Sequence, residues 1–379
     1  MQSDEMRNEI GGHRWAGRCT LLVGILSFLV ACGDPAPIKI GFIGGLSGRS
    51  TDIGEASRNA VQLAVEKVNR AGGIDGRLIE LLVRDDENTP AVAAAAVRDL
   101  HDARVAAIIG PNNSSIAAGM LPVVNELKVV TISPTASSLV LAGQDDYLFR
   151  INWTTRDNAS IYARHYYGRG IRRIAAAVDA NNRVFSESWL NEFTSEFQAL
   201  GGKVVASDFF NAKDPRGYSD TVKKLLTSDP DALLFVANGV DTAQFAQQVR
   251  KLDLDILLIA AEWAASERLL FLGGSAIEGL ELVQSYNRND QSESYRRFRD
   301  EYAKQFQQEP DYSSVAAYDA ATMLFKGLAK STDSGSLKQA LLNLGVVDGL
   351  QQPLAFDQYG DGQRRAFFVV VHDGQFEAR

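Results

Sequence analysis

Residues 38–65, IKIGFIGGLSGRSTDIGEASRNAVQLAV, contain the repeating unit from which the fold of this chain can be worked out. An apolar run comes first and a glycine-rich turn follows. Apolar residues then recur at three- and four-residue spacing, which predicts a strand, a loop and a helix. The same alternation continues through the strand-like runs LIELLVRDD, VAAIIG and VVTISP, with a helical pattern between each pair. Alternating strands and helices indicate a parallel sheet that is covered by helices on both faces.

A second series of strands and helices follows a break in this pattern near YLFRINWTTRDN. The runs RRIAAAVD, KVVASDFF, DALLFVAN and DILLIAA alternate with helical segments, which predicts a second α/β unit of similar size. Beyond residue 279, two helical segments precede PLAFDQYGDGQRRAFFVVVHDGQF, whose pattern predicts a β-hairpin around YGDGQ. A chain of 379 residues is long enough for two such units.

Composition and motif content argue against several classes of function. The formal net charge is −8 and no basic run occurs, which disfavours a nucleic-acid partner because phosphates require clustered Lys and Arg. The four histidines have no cysteine or carboxylate at the spacing of metal ligands, and no G-x-S-x-G motif occurs. We therefore expect no enzyme activity, no catalytic residue, no bound metal and no cofactor.

The N-terminal segment has the features of an export signal. Arginines precede the apolar run TLLVGILSFLVA, which has the length of a signal-peptide core and is too short to span a bilayer. Small residues directly before Cys32 resemble a bacterial lipobox, which implies a lipoprotein signal peptide at residues 1–31, lipidation of Cys32 and a short tether at residues 32–37. An ordinary cleaved signal with a chance cysteine is the alternative. The acidic opening MQSDEM is unusual for a signal, so Met6 competes with Met1 as the start.

The glycine-rich turn GFIGGLSG does not fit the known phosphate-binding loops. Gly44 and Gly45 are adjacent, which breaks the G-x-G-x-x-G pattern, and the turn lacks the Lys followed by Ser or Thr of a P-loop. The acids at the end of the next strand, Asp85 and Asp86, lie well beyond the spacing of about 20 residues that a ribose-binding acid requires. A nucleotide ligand is therefore disfavoured.

Polar residues at the ends of predicted strands favour a different ligand. An open parallel sheet binds its ligand outside the carboxyl ends of its strands. Ser114 opens a helix after one strand, Thr135 and Ser137 follow the next, and Glu262 follows a strand of the second unit. Hydroxyls and backbone N–H groups at a helix start suit a carboxylate, and Glu262 suits an ammonium. Taken singly, Ser114 also fits a helix N-cap and Glu262 a solvated acid, but together they describe a receptor for a zwitterion.

In order along the chain, the stretches IKIGFIGGLSG, AVEKVNRAGGIDGR, LLVRDDENTP, AAIIGPNNSS, VVTISPTAS and AAYDAATMLFKGLA resemble the periplasmic leucine/isoleucine/valine-binding family, the type I solute-binding proteins of ABC importers. The resemblance implies an α/β fold of two lobes, each a parallel sheet flanked by helices, joined by three hinge crossovers. Lobe 1 would comprise residues 38–155 plus 286–350, and lobe 2 residues 156–285 plus 351–379.

The resemblance also implies roles for the polar residues. Ser114 and Ser137 match the positions that bind the ligand carboxylate. Thr135 matches a position whose backbone carbonyl accepts from the ligand ammonium, and Glu262 matches the glutamate that pairs with it. The family disulfide falls near Asn88 and Asn113, in agreement with the cysteine count.

The half of the pocket that holds the ligand side chain departs from the family. Three family aromatics correspond to Ile53, Phe185 and Asn238 here, so that one position is aliphatic, one keeps the ring without its hydroxyl, and one is an amide. Ile53, Phe185, Trp153 and Trp263 together predict an apolar, aliphatic ligand side chain, and packing at the hinge is the alternative role of Trp153. All three family positions are expected to contact the ligand.

The predicted function is that of an extracytoplasmic solute-binding lipoprotein, in the periplasm or on the outer face of the cell membrane. It would bind an amino acid between its lobes as a monomer and deliver it to the permease of an ABC importer. Its partners would be the amino acid, the permease and, through the lipid, the membrane surface, with no nucleic acid. The alternative is a sensor domain for a small amino acid, amide or related carboxylate, which does not serve transport.

Overall fold

The computed structural model describes residues 35–48, 51–213, 217–331 and 333–378. From Ile38 onward these residues belong to one compact unit that contains two large sheets. The predicted signal peptide and Cys32 lie outside the described residues, so their roles stay predictions. None of the helices in the described ranges has the length and apolar character that a membrane crossing requires.

The first sheet consists of five parallel strands in the order β2-β1-β3-β4-β5. Strand β1, which is flanked by β2 and β3, contributes residues to two separate cores, with Ile40 and Phe42 on one face and Ile43 on the other. Burial on both faces explains why this strand is a continuous apolar run. The elements are β1 (Ile38–Gly44), α1 (Thr51–Arg70), β2 (Ile79–Asp85), α2 (Pro90–Asp102), β3 (Ile108–Ile109), α3 (Ser114–Leu127), β4 (Thr131–Ser133) and β5 (Leu148–Arg150).

The second sheet has seven strands in the order β14-β13-β10-β9-β8-β6-β7. Strands β6 to β10 are parallel, whereas β13 and β14 form an antiparallel hairpin at one edge. The elements are α4 (Thr155–Gly168), β6 (Arg173–Asp179), α5 (Arg183–Ala199), β7 (Lys203–Phe210), α6 (Gly217–Leu226), β8 (Ala232–Val236), α7 (Gly239–Arg250), β9 (Leu257–Ala260), α8 (Glu267–Gly273), β10 (Glu281–Gln284), β13 (Phe367–His372) and β14 (Gln375–Ala378).

The chain passes between the two sheets three times. It leaves the first sheet after β5, and it returns after β10 to form three helices, of which α10 packs on α1 of the first unit. It then rejoins the second sheet at β13. This topology confirms the predicted two-part α/β fold with three crossovers. The remaining elements are α9 (Glu293–Phe306), α10 (Tyr312–Leu328), α11 (Ser334–Leu342), β11 (Val347–Asp348) and β12 (Pro353–Leu354).

The hairpin predicted around YGDGQ is wrong, because its turn lies at Asp373–Gly374 between β13 and β14. The YGDGQ segment instead lies along the edge of the first sheet, where the Arg150 N–H donates to the Gly360 carbonyl (2.9 Å) and the Gly362 N–H donates to the Arg150 carbonyl (2.8 Å). Residues 357–362 therefore contact the first sheet, although the predicted boundary assigned everything after residue 350 to lobe 2. The exact lobe limits stay a prediction.

Two buried ion pairs fix the third crossover. The Arg150 guanidinium, which is fully buried, lies 2.7 Å from Asp361. Arg364 donates to Asp319 of α10 at 2.8 Å, and both side chains are only 1% exposed. The described residues contain no cysteine, so these pairs and the apolar cores are what hold this crossover in place.

Candidate functional site

A cavity lies between the carboxyl ends of strands from both sheets. Its lining residues follow β1 to β5 in the first sheet and β6 and β9 in the second, with further contributions from helices α1, α5 and α10. The cavity has a volume of only about 40 Å³. The cavity is therefore narrow. Its lining residues are Gly45, Ile53, Gly54, Asp86, Asn88, Asn112, Asn113, Ser114, Thr135, Ser137, Asn152, Asn182, Phe185, Glu262, Trp263 and Tyr312.

One wall of the cavity is built from the start of helix α3. Asn113 caps this helix, since its side-chain oxygen accepts from the Ser115 N–H (2.8 Å). The Ser114 Oγ accepts from the N–H groups of Ser137 (3.2 Å) and Ser138 (3.3 Å), which anchors the loop after β4 to the helix start. Because this hydroxyl accepts both bonds, its own hydrogen stays available for a ligand oxygen. A helix N-terminus also favours negative charge.

The loop after β4 is tied to the loop after β3 by a second set of contacts. The Thr135 hydroxyl donates to the Asn112 carbonyl oxygen at 2.8 Å. The Asn112 side-chain amide donates to the Thr135 hydroxyl (3.2 Å) and to the Ser57 hydroxyl (2.7 Å). The side chain of Thr135 is thus occupied within the protein, which is consistent with a predicted role for its backbone carbonyl rather than its hydroxyl.

The opposite wall contains the buried acid Glu262. It lies in a short 3₁₀ turn directly after β9 and is 6% exposed. Its Oε2 accepts from the Trp153 indole N–H at 3.0 Å, while its other oxygen has no hydrogen-bond partner among the described residues. Burial raises the pKa of Glu262 to about 8, against the opposing effect of the Trp153 hydrogen bond. No cation of the described residues offsets this burial, so the surroundings of Glu262 favour the neutral acid.

Three hydrogen bonds join the two sides of the cavity directly. The Ser115 N–H donates to Asn182 Oδ1 at 3.1 Å, and the Val184 N–H donates to Ser115 Oγ at 3.1 Å. The Ser138 hydroxyl donates to the Val184 carbonyl at 2.7 Å. These bonds run from α3 and the loop after β4 to the start of α5. The structure therefore shows the two sides in contact, in agreement with the narrow cavity.

An apolar patch completes the lining. Phe185 and Trp263 meet edge to face, with ring centroids 5.6 Å apart, and Ile53 contributes an aliphatic surface from α1. Trp153, which was expected among the apolar contacts, is a hydrogen-bond donor to Glu262 and is not part of the lining. Tyr312 at the start of α10 is buried and lines the cavity as well.

Six of the seven predicted ligand-binding residues line this one cavity: Ile53, Ser114, Thr135, Ser137, Phe185 and Glu262. Asn238 is outside it. Its side chain caps helix α7, where it accepts from the Asp241 N–H (3.0 Å) and donates to the Asp241 carboxylate (2.7 Å). Because capping accounts for the position of Asn238, we do not include it in the proposed ligand site.

Sequence reasoning missed several residues of the lining. Asp86, Asn88, Asn112, Asn152 and Asn182 all line the cavity, and each follows the end of a parallel strand. The same strand-end rule that selected Ser114 would have selected them.

One group of potential metal ligands occurs among the described residues, and it lies away from the cavity. Glu278, His372 and Asp373 place one ligand atom each within 4.8 Å of one another. His372 Nδ1 is 2.8 Å from Glu278, and all three side chains are substantially exposed. This arrangement is an ordinary surface ion pair, and we assign no metal to it.

Comparison with known proteins gives consistent results. The sequence profile of the periplasmic binding protein family matches residues 37–375. The leucine-, isoleucine-, valine-, threonine- and alanine-binding protein of Pseudomonas aeruginosa is 22% identical over 349 residues, which cover 92% of each chain.

Two solved structures have the same fold. The branched-chain amino acid transporter substrate-binding protein LivJ from Streptococcus pneumoniae, in complex with isoleucine, has a TM-score of 0.83 at 23% identity, covering 90% of this chain and 98% of that chain. A solute-binding protein of an ABC transporter from R. palustris, in complex with benzoate, has a TM-score of 0.82 at 18% identity, with coverages of 90% and 95%. At these identities the similarity shows the fold alone.

Proposed function

Because this chain belongs to the periplasmic binding protein family, we propose that it is the extracytoplasmic solute-binding component of an ABC importer and that its ligand is an amino acid. The observation that carries the proposal is the pairing of two opposite chemistries across one cavity. Ser114 and Ser137 at a helix start lie on one side, and the buried carboxyl of Glu262 lies on the other. A zwitterion complements both sides.

The ligand carboxylate would accept hydrogen bonds at the start of helix α3. The Ser114 hydroxyl keeps its hydrogen free, and the Ser137 side chain makes no hydrogen bond within the described residues. The ammonium would pair with the unpartnered oxygen of Glu262, while the Thr135 backbone carbonyl accepts from it. Both charges would then be buried away from water, where a charge interaction is several-fold stronger than at an exposed surface.

Binding would proceed by closure of one lobe over the other. The amino acid would first contact the helix start and the loop after β4, and closure would then bring Glu262 and Phe185 over it. The hydrogen bonds between Ser115 and the start of α5 would hold the closed form. The three crossovers would act as the hinge, and the permease would recognise the closed form.

The site further supports solute binding rather than catalysis, since the family is one of solute-binding proteins and the cavity lining offers no histidine or cysteine.

We propose that the mature chain is a monomer held at a membrane surface by a lipid on Cys32. Mass spectrometry of the N-terminal peptide from membranes would detect the diacylglyceryl mass on Cys32, and an unmodified or differently cleaved terminus would contradict the anchor.

A thermal-shift screen of the purified chain against the twenty amino acids, followed by calorimetry, tests the proposed function. At least one amino acid should raise the melting temperature in proportion to its concentration, because a ligand that binds only the folded state stabilises it by mass action. The corresponding methyl ester, which lacks the carboxylate charge, should bind far more weakly. If no amino acid binds, the proposal fails. Uptake of the radiolabelled ligand by vesicles with and without this protein then distinguishes an importer from a sensor.

A further inference from the structure

Most of the cavity lining is polar even after the residues assigned to the two charges of a zwitterion are set aside. Ten of the sixteen lining residues are polar, and four of them, Ser114, Thr135, Ser137 and Glu262, have roles in the proposed function. A branched aliphatic side chain gives the other six nothing to bind. These six are Asp86, Asn88, Asn112, Asn113, Asn152 and Asn182.

Four of these six have identifiable partners within the protein. The oxygens of Asn113 and Asn182 accept from the start of helix α3, and the oxygen of Asn152 accepts from the backbone N–H that follows it. Asn88 donates from its side chain to the Ser47 carbonyl at 3.2 Å. Asn112 and Asp86 also have partners, but Asn112 Oδ1 and one carboxylate oxygen of Asp86 accept no hydrogen bond within the described residues.

The hydrogen-bond network fixes the orientation of the Asn112 amide. The Ser57 hydroxyl donates to the Ser313 carbonyl (3.3 Å), and the Thr135 hydroxyl donates to the Asn112 carbonyl (2.8 Å). Both hydroxyls have used their only hydrogen, so both must accept from Asn112, and only the NH₂ end of the amide can donate to them. The Asn112 Oδ1 therefore points away from these hydroxyls. It is buried and has no hydrogen-bond partner among the described residues.

Asp86 presents a second acceptor in the lining of the same cavity. It is 1% exposed, and its Oδ1 accepts only the short backbone contact from Asn88 (2.7 Å). Asp86 and Asn112 both lie beside Gly44. The Asp86 N–H donates to the Gly44 carbonyl (3.0 Å), and a Cβ atom on Gly44 would lie 3.4 Å from Asn112 Oδ1. The cavity lining thus contains two acceptors, Asn112 Oδ1 and the Asp86 carboxylate, and no cation of the described chain is paired with Asp86.

Building on the proposed function, we propose that the ligand side chain ends in N–H donors, which pair with Asn112 Oδ1 and the Asp86 carboxylate. The substrate class is an amino acid with a terminal nitrogen, either a carboxamide or a basic group, rather than the branched aliphatic residue that the apolar contacts predicted. An aliphatic side chain would strip water from both acceptors without replacing it. A site built around such groups rejects a ligand that lacks the matching donor by several orders of magnitude.

The first test is the rank order of affinities of the wild-type chain by calorimetry. We expect one member of the set Asn, Gln, citrulline, Lys, ornithine and Arg to bind at least about 10²-fold more tightly than Leu, Ile and Val. Tighter binding of Leu, Ile or Val overturns this inference and leaves the proposed function intact. Absence of binding by every amino acid rejects the proposed function itself.

The second test is the substitution Asn112→Leu, with Asn343→Leu as control because Asn343 is exposed and outside the lining. Asn112→Leu should reduce the preference for the nitrogen-bearing ligand over Leu by at least tenfold, whereas the control should leave the ratio unchanged. An unchanged ratio in a folded Asn112→Leu variant overturns the assignment. If this variant does not fold, the wild-type rank order still decides the inference.

A third variant separates the two kinds of nitrogen. Asp86→Asn keeps an acceptor oxygen but removes the charge, so a basic ligand should lose at least tenfold more affinity than a carboxamide ligand. Equal and small effects on both ligands would show that Asp86 does not contact the side chain, which overturns its part in the assignment.

Discussion

Glu262 gives the sharpest prediction, because its protonation state must change when a ligand ammonium binds. Burial raises the pKa of this carboxyl to about 8, so the group is mostly protonated at neutral pH. Only the carboxylate can pair with an ammonium. Binding must therefore release the proton, and the observed affinity is the intrinsic affinity multiplied by the ionised fraction of the free protein.

The size of the effect follows from the pKa. With a pKa of about 8, affinity should fall about 50-fold between pH 8 and pH 6, and about 0.9 proton should be released on binding at pH 7. Affinity must increase as the pH rises, because ionisation of a carboxyl favours binding. The second buried acid of the cavity, Asp86, titrates near pH 6, so its contribution is confined to the lower end of this range.

The assay is calorimetry with the best-binding amino acid of the screen, at pH 6, 7 and 8, in pairs of buffers with different heats of ionisation. The matched variant is Glu262→Gln, which keeps the shape of the side chain and an acceptor for the Trp153 N–H. We expect it to bind about 10²–10³-fold more weakly at pH 8, because a buried ammonium loses its counter-charge at a cost of about 3–5 kcal/mol. The variant should release no proton from this position.

The raised pKa of Glu262 also affects the folding stability of the ligand-free protein. The folded-state pKa of Glu262 lies above the ordinary glutamate value of 4.5, so the unfolded chain loses this proton more readily. The contribution of this group to folding stability therefore decreases as the pH rises from about 4.5 to 8. Ligand-free Glu262→Gln should accordingly resist urea better than wild type at pH 8, by an amount on the order of a few kcal/mol, and less so at pH 5. A wild-type affinity that is constant from pH 6 to 8, with no proton release, would refute the reasoning.

Three further predictions concern other contacts. Ser114→Ala removes the oxygen that accepts hydrogen bonds from two loop N–H groups. We expect calorimetry to show about 10- to 100-fold weaker binding of the amino acid. An unchanged affinity would show that Ser114 does not belong to the carboxylate site. Asp319→Ala leaves the Arg364 guanidinium buried without its partner, which should lower the free energy of unfolding in urea by about 3–5 kcal/mol. Replacement of both residues by apolar groups should recover much of this stability. If the two single losses simply add in the double variant, the ion pair does not have the expected role. Asn182→Ala removes a hydrogen bond from Ser115 that joins the two sides of the cavity. Small-angle scattering with saturating ligand should therefore show a larger fraction of open molecules than in wild type. Identical scattering profiles would contradict the proposal that this bond holds the closed form.

The sequence alone predicted those features that depend on residues close together in the chain. The strand–helix alternation predicted both sheets, and the rule that ligands bind beyond the carboxyl ends of strands placed Ser114 and Glu262 at one cavity although 148 positions separate them in the chain. Residues whose role depends on distant partners were missed. Nothing near Asn112 in the sequence reveals that Ser57 and Thr135 would occupy one end of its amide and leave the other end free.

A short stretch of sequence can fit more than one local structure, which explains why the hairpin was predicted at YGDGQ and why Asn238 was expected in the ligand site. The YGDGQ segment has the composition of a tight turn, but whether the flanking residues pair with each other or lie along β5 depends on the first sheet, which is more than 200 positions earlier in the chain. Asn238 also follows the end of a strand, as several residues of the cavity lining do, and its predicted ligand contact stays untested. Its side chain nevertheless turns back to cap helix α7, and sequence position alone does not distinguish a capping amide from one that faces a ligand.

The two buried acids of the cavity also affect the free energy of closing the lobes with and without a ligand. Glu262 and Asp86 are each raised in pKa chiefly by burial, and neither is paired with a cation of the described chain. Closing the lobes over an empty cavity therefore removes two carboxyl groups from water without any compensating charge, which is unfavourable at neutral pH. An amino acid supplies at least one positive group to offset that cost. In the proposed mechanism a bound amino acid therefore shifts the equilibrium further toward the closed form, so that a permease which recognises closure also recognises occupancy.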